Sequence, residues 1–425
     1  MSITTKASAF RSRGLKSTLG IAFIATGALV LAGCAPAAEP EAEPTAIADY
    51  TLTLGTLLPQ TGNLAFLGPP EEAGVGFAVS EVNAAAESTG LTIEVEYGDS
   101  GNTDNKAYET EAPRILAFDP TAIIGAASSG TSLQFIDQVT GAGVIQFSPA
   151  NTSDAFTTYD DNGLYFRTAP SDVLQGEVLG NLIAEDGHQT LGMIVLNDSY
   201  GTGLAKYVTE AFEAAGGEVV AAPTYNTGDT VFDTQISEVL AADPDAIALI
   251  TFEEVKTILP SLFGQFPSEN LYFVDGNLSN FGDQFPAGSL TGAKGTLPGL
   301  TIDSIGEFTA ALDAWVAEDG GEPLTEYSYA AESYDAVILL ALASLAAGGA
   351  TEGVDVAAKL QEVSGGSGDG EKCTTYAECA DIILSGGVAD YDGISGPITF
   401  DEVGDPTEAS IGIYVYGEDN TYGAI

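Results

Sequence analysis

Short apolar, β-branched runs alternate along this chain with longer stretches that carry apolar residues at spacings of three and four. The runs are TLTLGTLL (51–58), LTIEVEY (91–97), TAIIG (121–125), GVIQF (143–147), LGMIVL (191–196), EVVAA (218–222), DAIALI (245–250) and LYFV (271–274). Residues 71–86, 106–117, 173–184, 204–215, 232–241 and 253–264 between them read as amphipathic helices. Strand and helix in this alternation predict parallel sheets covered on both faces, a doubly wound α/β architecture whose ligands sit at the carboxyl ends of the strands.

The rhythm breaks at GLYFRTAP (163–170) and then restarts, which predicts a crossing from one lobe to another. After Leu290 the pattern turns mainly helical (305–318, 327–347, 354–363), and SGGSGDGE (364–371) reads as a flexible loop. The expected layout is therefore two lobes joined by a multi-crossing hinge. Residues 50–169 form the first part of lobe one and 170–297 the first part of lobe two. Residues 298–395 return to lobe one with a cysteine loop, and 396–425 make a last crossing and close lobe two. The 392 residues after position 33 exceed what one core usually holds, in keeping with two lobes.

The N-terminus differs from all of this. Lys6, Arg11, Arg13 and Lys16 precede an almost uncharged apolar segment, Leu19 to Ala32. As a helix that segment spans about 21 Å, short of the roughly 30 Å of a bilayer core, so residues 1–33 read as a cleaved export signal. Leu31-Ala32-Gly33-Cys34 resembles the lipobox of bacterial lipoproteins, which implies cleavage before Cys34 and acylation of that cysteine; an ordinary signal peptide followed by a free thiol is the alternative. The Ala/Pro/Glu stretch 34–49 then reads as a solvated tether, holding the protein at the extracytoplasmic face of the membrane.

Beyond residue 33, eight Lys and Arg stand against 61 Asp and Glu, a formal charge of −53. Such a surface repels nucleic acid and anionic lipid heads. Cys373 and Cys379 close a short loop, expected in an exported chain to be a disulfide; two thiols with no nearby histidine lack the four ligands of a structural zinc. The single histidine, His188 in EDGHQT, has no partner motif around it: no G-x-S-x-G, H-E-x-x-H, P-loop or G-x-G-x-x-G follows a strand. The chain is expected not to be an enzyme and to need no cofactor or metal; a secreted hydrolase with an unfamiliar site is the weakest reading.

Three polar clusters fall where strands end. Ser128-Ser129-Gly130-Thr131-Ser132 opens a helix, where hydroxyls and free N–H groups suit an anion, or serve simply as caps. Ser148-Pro149-Ala150-Asn151-Thr152-Ser153 follows the fourth run. Asp275, in Val274-Asp275-Gly276-Asn277, terminates a strand and suits a cation. Together they would clamp a zwitterion.

LGTLLPQTGNLAFLG, the SSGTS turn, FSPANTSDAFT, YFRTAPSDVLQG, VLNDSYGTGLA, FVDGN and YDGISGPITFDEVGDP, in this order from about Tyr50 onward, resemble the leucine/isoleucine/valine-binding family of ABC-transporter receptors, with the type I periplasmic-binding-protein fold. CTTYAEC is similar to a cysteine loop of some members. The resemblance implies α-carboxylate contacts at the Ser129 hydroxyl, the backbone of Asn151, and Thr152. Tyr200 would enter from lobe two as the cleft closes, and Asp275 would accept the ammonium. Side-chain pocket positions fall on Leu67, Ala127, Ser128, Phe252 and Tyr329. Leu67 stands where an aromatic is expected, and Ala127-Ser128 is smaller and more polar than the branched-chain pattern. Tyr200 and Tyr329 could equally be packing aromatics. The implied function is a monomeric, lipid-anchored receptor that delivers an amino acid to ABC permease subunits. A sensing module of the same fold, for an amide or small carboxylate, is the alternative.

Overall fold

A computed structural model describes residues 48–425. The export signal, Cys34 and the tether up to residue 47 lie outside the described residues.

The first sheet is wholly parallel. Its strands β1 (Tyr50–Leu57), β2 (Leu91–Glu96), β3 (Ala122–Gly125), β4 (Ile145–Ser148) and β5 (Tyr165–Arg167) stand in the order β2-β1-β3-β4-β5. Central β3 and β4 are buried at every position; AIIG is accordingly apolar throughout, whereas IQFS buries the polar Gln146 and Ser148 as well. Helices α1 (Gly68–Ala84), α2 (Ala86–Thr89), α3 (Tyr108–Leu116) and α4 (Ser129–Thr140) connect them. α1 carries prolines 69 and 70 in its first turn, where the missing N–H costs nothing.

The second sheet repeats the same winding. Strands β6 (Thr190–Leu196), β7 (Glu218–Ala221), β8 (Thr224–Tyr225), β9 (Ala246–Ile250), β10 (Leu271–Phe273) and β11 (Lys294–Pro298) are parallel, with β7-β6-β9-β10-β11 adjacent in that order and β8 beside β6. Its helices are α5 (Asp172–Glu185), α6 (Ser199–Ala214), α7 (Asp233–Ala241) and α8 (Val255–Leu262). In both sheets the connections diverge beside the first strand, at β1/β3 and β6/β9, which is where such sheets leave a crevice.

From residue 306 the chain adds α9 (Gly306–Asp319), α10 (Ala330–Ala346), α11 (Gly353–Val363) and α12 (Tyr376–Leu384), packed with the first sheet. A small third sheet holds β12 (Glu371–Cys373), β13 (Ala389–Gly393) and β14 (Gly396–Pro397). Cys373 and Cys379 are disulfide-bonded, tying β12 to α12. The end of the chain returns to the second sheet as antiparallel β15 (Ile411–Tyr416) and β16 (Tyr422–Ala424). The sequence pattern predicted mainly helix after Leu290. It misses β11 to β16 because most of these strands are only two to five residues long, and the longest, β15, alternates buried with half-buried positions and so shows no continuous apolar run.

α10 is buried along nearly its whole length, and Gly74 of α1 lets it approach: a Cβ there would stand 2.2 Å from the Ala330 carbonyl. The chain passes between the two sheets three times, near residues 168–171, 299–301 and 405–410. These passages are bound to one another. Buried Arg167 forms a bidentate pair with Asp405 (Nε–Oδ1 2.6 Å, Nη2–Oδ2 2.8 Å). The Gly299 N–H donates to the Ser410 carbonyl at 2.9 Å. Thr168 Oγ1 donates to the Glu332 carbonyl of α10 at 3.0 Å.

Among the described residues no helix is long and apolar enough to cross a membrane. All eight Lys and Arg there lie within 4.0 Å of a carboxylate, so the large acid excess leaves no unpaired basic side chain.

Candidate ligand-binding site

The carboxyl ends of the two sheets face each other, and the lobes are shut against each other. Asn63 Nδ2 donates to Glu254 Oε1 at 2.9 Å, and Ser153 Oγ donates to the Ser199 carbonyl at 3.0 Å. Leu64, Leu67, Ala127, Ala150 and Tyr329, from elements packed on the first sheet, join the apolar cluster of the second. Between them lies a small cavity.

Eight residues singled out from the sequence line that space: Leu67, Ala127, Ser128, Ser129, Tyr200, Phe252, Asp275 and Tyr329. Leu64, Ala150 and Gly276 also line it. No basic side chain reaches it.

The first-lobe wall is set by how α4 begins. Ser128 is the N-cap, and its hydroxyl accepts the Thr131 N–H at 3.3 Å. Its hydroxyl thus serves the helix. Ser129, the first helical residue, keeps its hydroxyl at the cavity, where it also accepts the Ser153 N–H at 3.3 Å. As first residues of a twelve-residue helix, Ser129 and Gly130 have N–H groups without intrahelical acceptors, so this wall carries partial positive charge.

The loop after β4 stands behind that wall. Asn151 does not line the cavity. Its N–H donates to Ser148 Oγ (2.9 Å), and its Nδ2 donates to the Ala126 and Ala127 carbonyls (2.9 and 2.8 Å). Its Oδ1 accepts from the Tyr165 hydroxyl (3.0 Å), and its carbonyl accepts from Arg167 Nη1 (3.3 Å). Every polar group of Asn151 is spent on shaping the loop, which removes it from direct contact with a ligand. Thr152 is also outside the lining and 1 % exposed, with its hydroxyl beside the Asp172 carboxyl.

The second-lobe wall is built around Asp275, 5 % exposed, just after β10. Asn277 fixes the turn by accepting the Val274 N–H (3.0 Å) and donating to the Leu249 carbonyl (2.6 Å). Gly276 is required there, since a Cβ would meet the Phe252 ring at 2.6 Å. The carboxylate accepts three hydrogen bonds: Tyr200 OH to Oδ1 (2.7 Å), Gln175 Nε2 to Oδ1 (3.0 Å) and Tyr329 OH to Oδ2 (2.8 Å). The Tyr200 ring stacks on Phe252, centroids 5.2 Å apart. Burial pushes the Asp275 carboxyl up, and these three donors together with the Gly276 N–H hold it back. Burial and the facing carboxylate push both tyrosines well above their ordinary value, so they stay protonated and donate.

Gln175 and Asp172 were not singled out from the sequence. Both lie on α5, one turn apart, in Ser171-Asp172-Val173-Leu174-Gln175-Gly176. Asp172 is fully buried; burial, then the charge of Asp275, push it well above the usual carboxylate range, and the Thr152 hydroxyl beside it holds it back. Their spacing of three was the available signal, one face of a helix starting directly after the first crossing. His188 lies in the turn before β6 beside Tyr272, whereas Tyr200 of the cavity follows the other end of that strand. No group of three His, Cys, Asp or Glu among the described residues is arranged to hold a metal.

A family model described as periplasmic binding protein matches residues 51–375. The chemotactic signal transduction system substrate-binding protein BasB of Halobacterium salinarum is 24% identical over 369 residues, 83% of this chain and 84% of that protein. The leucine-, isoleucine-, valine-, threonine- and alanine-binding protein of Pseudomonas aeruginosa is 29% identical over 194 residues, 45% of this chain and 51% of that protein, so the match spans about half of the relative's length. Among solved structures, the leucine-binding protein LivK of Thermotoga maritima superposes with a TM-score of 0.71 at 19% identity, over 88% of this chain and 97% of that one. This last likeness concerns the fold.

Proposed function

The chain belongs to the periplasmic binding protein family, and from that premise we propose that it is an extracytoplasmic receptor that closes on an α-amino acid and hands it to an ABC permease. One observation carries the reading: a cavity without a basic residue sets a buried acid, Asp275, on one wall and a helix N-terminus with Ser129 on the other. A zwitterion fits such a dipole. Its carboxylate would meet the Ser129 hydroxyl and the first N–H groups of α4; its ammonium would meet Asp275. Asn151 then shapes the carboxylate wall instead of touching the ligand. Leu64, Leu67, Ala127, Ala150, Phe252 and Tyr329 would surround an apolar side chain, and Tyr200 would complete the site from the second lobe.

The names of the relatives support this ligand class, since the Pseudomonas protein is described as binding leucine, isoleucine, valine, threonine and alanine. Acylation at Cys34, with residues 34–49 as a tether, would keep a monomeric receptor at the outer face of the membrane beside its permease. Calorimetry of the chain from residue 35 onward against L-amino acids, primary amides and small carboxylates tests the ligand class. Amino acids are expected to bind, and Asp275→Ala to weaken them by several kcal/mol, the cost of leaving a buried ammonium unpaired. Binding of carboxylates or amides alone would overturn the assignment.

A second reading, ligand sensing, has its own support: the relative aligned over 83% of the chain is described as part of a chemotactic signal transduction system. Deletion of the gene separates the two. Loss of amino-acid uptake marks a transport receptor, and loss of taxis with uptake intact marks a sensor.

A further inference from the structure

The Asp275 carboxylate is useful to a ligand only if one lone pair faces the cavity while the others are occupied, and the residue that arranges this lies outside the cavity wall. Gln175 sits on α5, fully buried, and divides its amide N–H groups between two partners. Nε2 donates to Asp275 Oδ1 at 3.0 Å and to Thr296 of β11, at 3.1 Å to Oγ1 and 3.3 Å to the carbonyl. The amide has one workable orientation. Turned over, it would set Oε1 against a carboxylate and a backbone carbonyl at once. In the observed orientation Oε1 is buried with no partner, so the contact with Asp275 is held even though it leaves an acceptor unsatisfied.

Oδ1 of Asp275 thus receives two donors from the second lobe, Gln175 and Tyr200, whereas Oδ2 receives only Tyr329. A carboxylate has about four acceptor sites, so the vacancy lies on Oδ2. We propose that Gln175 is a positioning residue for ligand recognition: its amide, anchored on Thr296, holds Oδ1 beside the Tyr200 hydroxyl, turns Oδ2 toward the cleft and keeps the acid ionised. The ligand part of this inference rests on the reading of Asp275 as the ammonium acceptor. The groups facing Asp275 are Tyr200 on α6, Tyr329 at the start of α10, and Gln175 and Asp172 on α5; none is basic. With no cation to stabilise the carboxylate, its ionisation depends on these donors against the neighbouring Asp172.

Gln175→Met keeps the length of the side chain and removes the donor. Carbon-13 carboxyl NMR of the ligand-free protein, with the Asp275 signal assigned by its loss in Asp275→Asn, reads the acid directly. Removing a hydrogen bond to a charged acceptor is expected to raise the Asp275 titration midpoint by about one pH unit, about tenfold in its ionisation constant. Thr296→Val, which loosens the anchor of Gln175 and leaves the donor in place, is expected to move it the same way by less, and serves if Gln175→Met does not fold. A structural role alone would lower the melting temperature of both variants and leave the midpoint where it is; that result overturns the proposal. L-Leucine calorimetry forms a separate arm. In Gln175→Met, affinity at pH 7 is expected to drop about tenfold. If Asp275→Asn binds L-leucine as well as the unaltered protein does, the ammonium reading fails and the titration result stands alone.

Discussion

The Tyr329 hydroxyl donates to Asp275 Oδ2 at 2.8 Å, joining the residue that precedes α10 to the acid that follows β10. Tyr329 does so from a left-handed backbone conformation, φ +62°, which a bulky residue adopts only under constraint. α10 is also where two of the three chain crossings rest, through Thr168 on the Glu332 carbonyl and Gly299 against the Glu332 carboxyl. The acid in the cavity and the hinge are therefore attached to the same helix end.

Tyr329→Phe removes the hydroxyl and keeps the ring in the cavity wall. The loss of one donor to a charged acceptor, about 1.5–3 kcal/mol, should weaken amino-acid binding roughly tenfold or more. Calorimetry beside a thermal melt checks this: affinity falls while the melting temperature stays close to that of the parent.

Gly130 meets the other lobe where α4 begins. A Cβ at Gly130 would stand 2.8 Å from Asp198 Oδ2, the capping carboxylate of α6. Gly130→Ala is expected to hold the lobes apart, weakening ligand binding without unfolding either lobe. Small-angle scattering with saturating ligand should show a larger radius of gyration than for the parent.

Arg167 is fully buried and Asp405 nearly so. Removing one partner of a buried pair costs about 3–5 kcal/mol, because the other charge remains. Urea denaturation should place Arg167→Met in that range, and Arg167→Met with Asp405→Leu should recover part of the loss.

Glu332 carries a pH signature. Burial, against its own backbone N–H and with the nearby charge of Asp335, pushes its carboxyl from 4.5 up to about 8. A raised folded value means that its contribution to stability is complete below pH 4.5 and is lost as pH rises through about 8. Glu332→Gln cannot ionise, so its urea midpoint should match the parent near pH 4 and exceed it near pH 9, by an amount of order a few kcal/mol. Equal midpoints at both pH values would show that Glu332 ionises freely in the fold.

Much of the architecture was legible because its signals are local. Fully buried strands such as AIALI announce themselves as unbroken apolar runs, and the positions of Ser129 and Asp275 follow from where a strand stops. What escaped was relational. Gln175 is 100 residues from Asp275, and only its spacing of three from Asp172 sets it apart from other helical glutamines. Ser128 and Ser129 are neighbours of one chemistry and both line the cavity, yet only the hydroxyl of Ser128 is taken up by capping the helix. Asn151 looked like a contact residue until its five hydrogen bonds placed it behind the wall.

The amino-acid order by itself determined the two windings, the family resemblance and the strand ends at which polar groups gather, since periodicity and turn chemistry act over a few residues. Only the folded molecule decided which of those groups share a cavity and which are consumed as scaffolding. The reason is physical: a buried donor must find an acceptor, and that partner is selected by the meeting of two lobes whose contributing residues lie far apart in the chain.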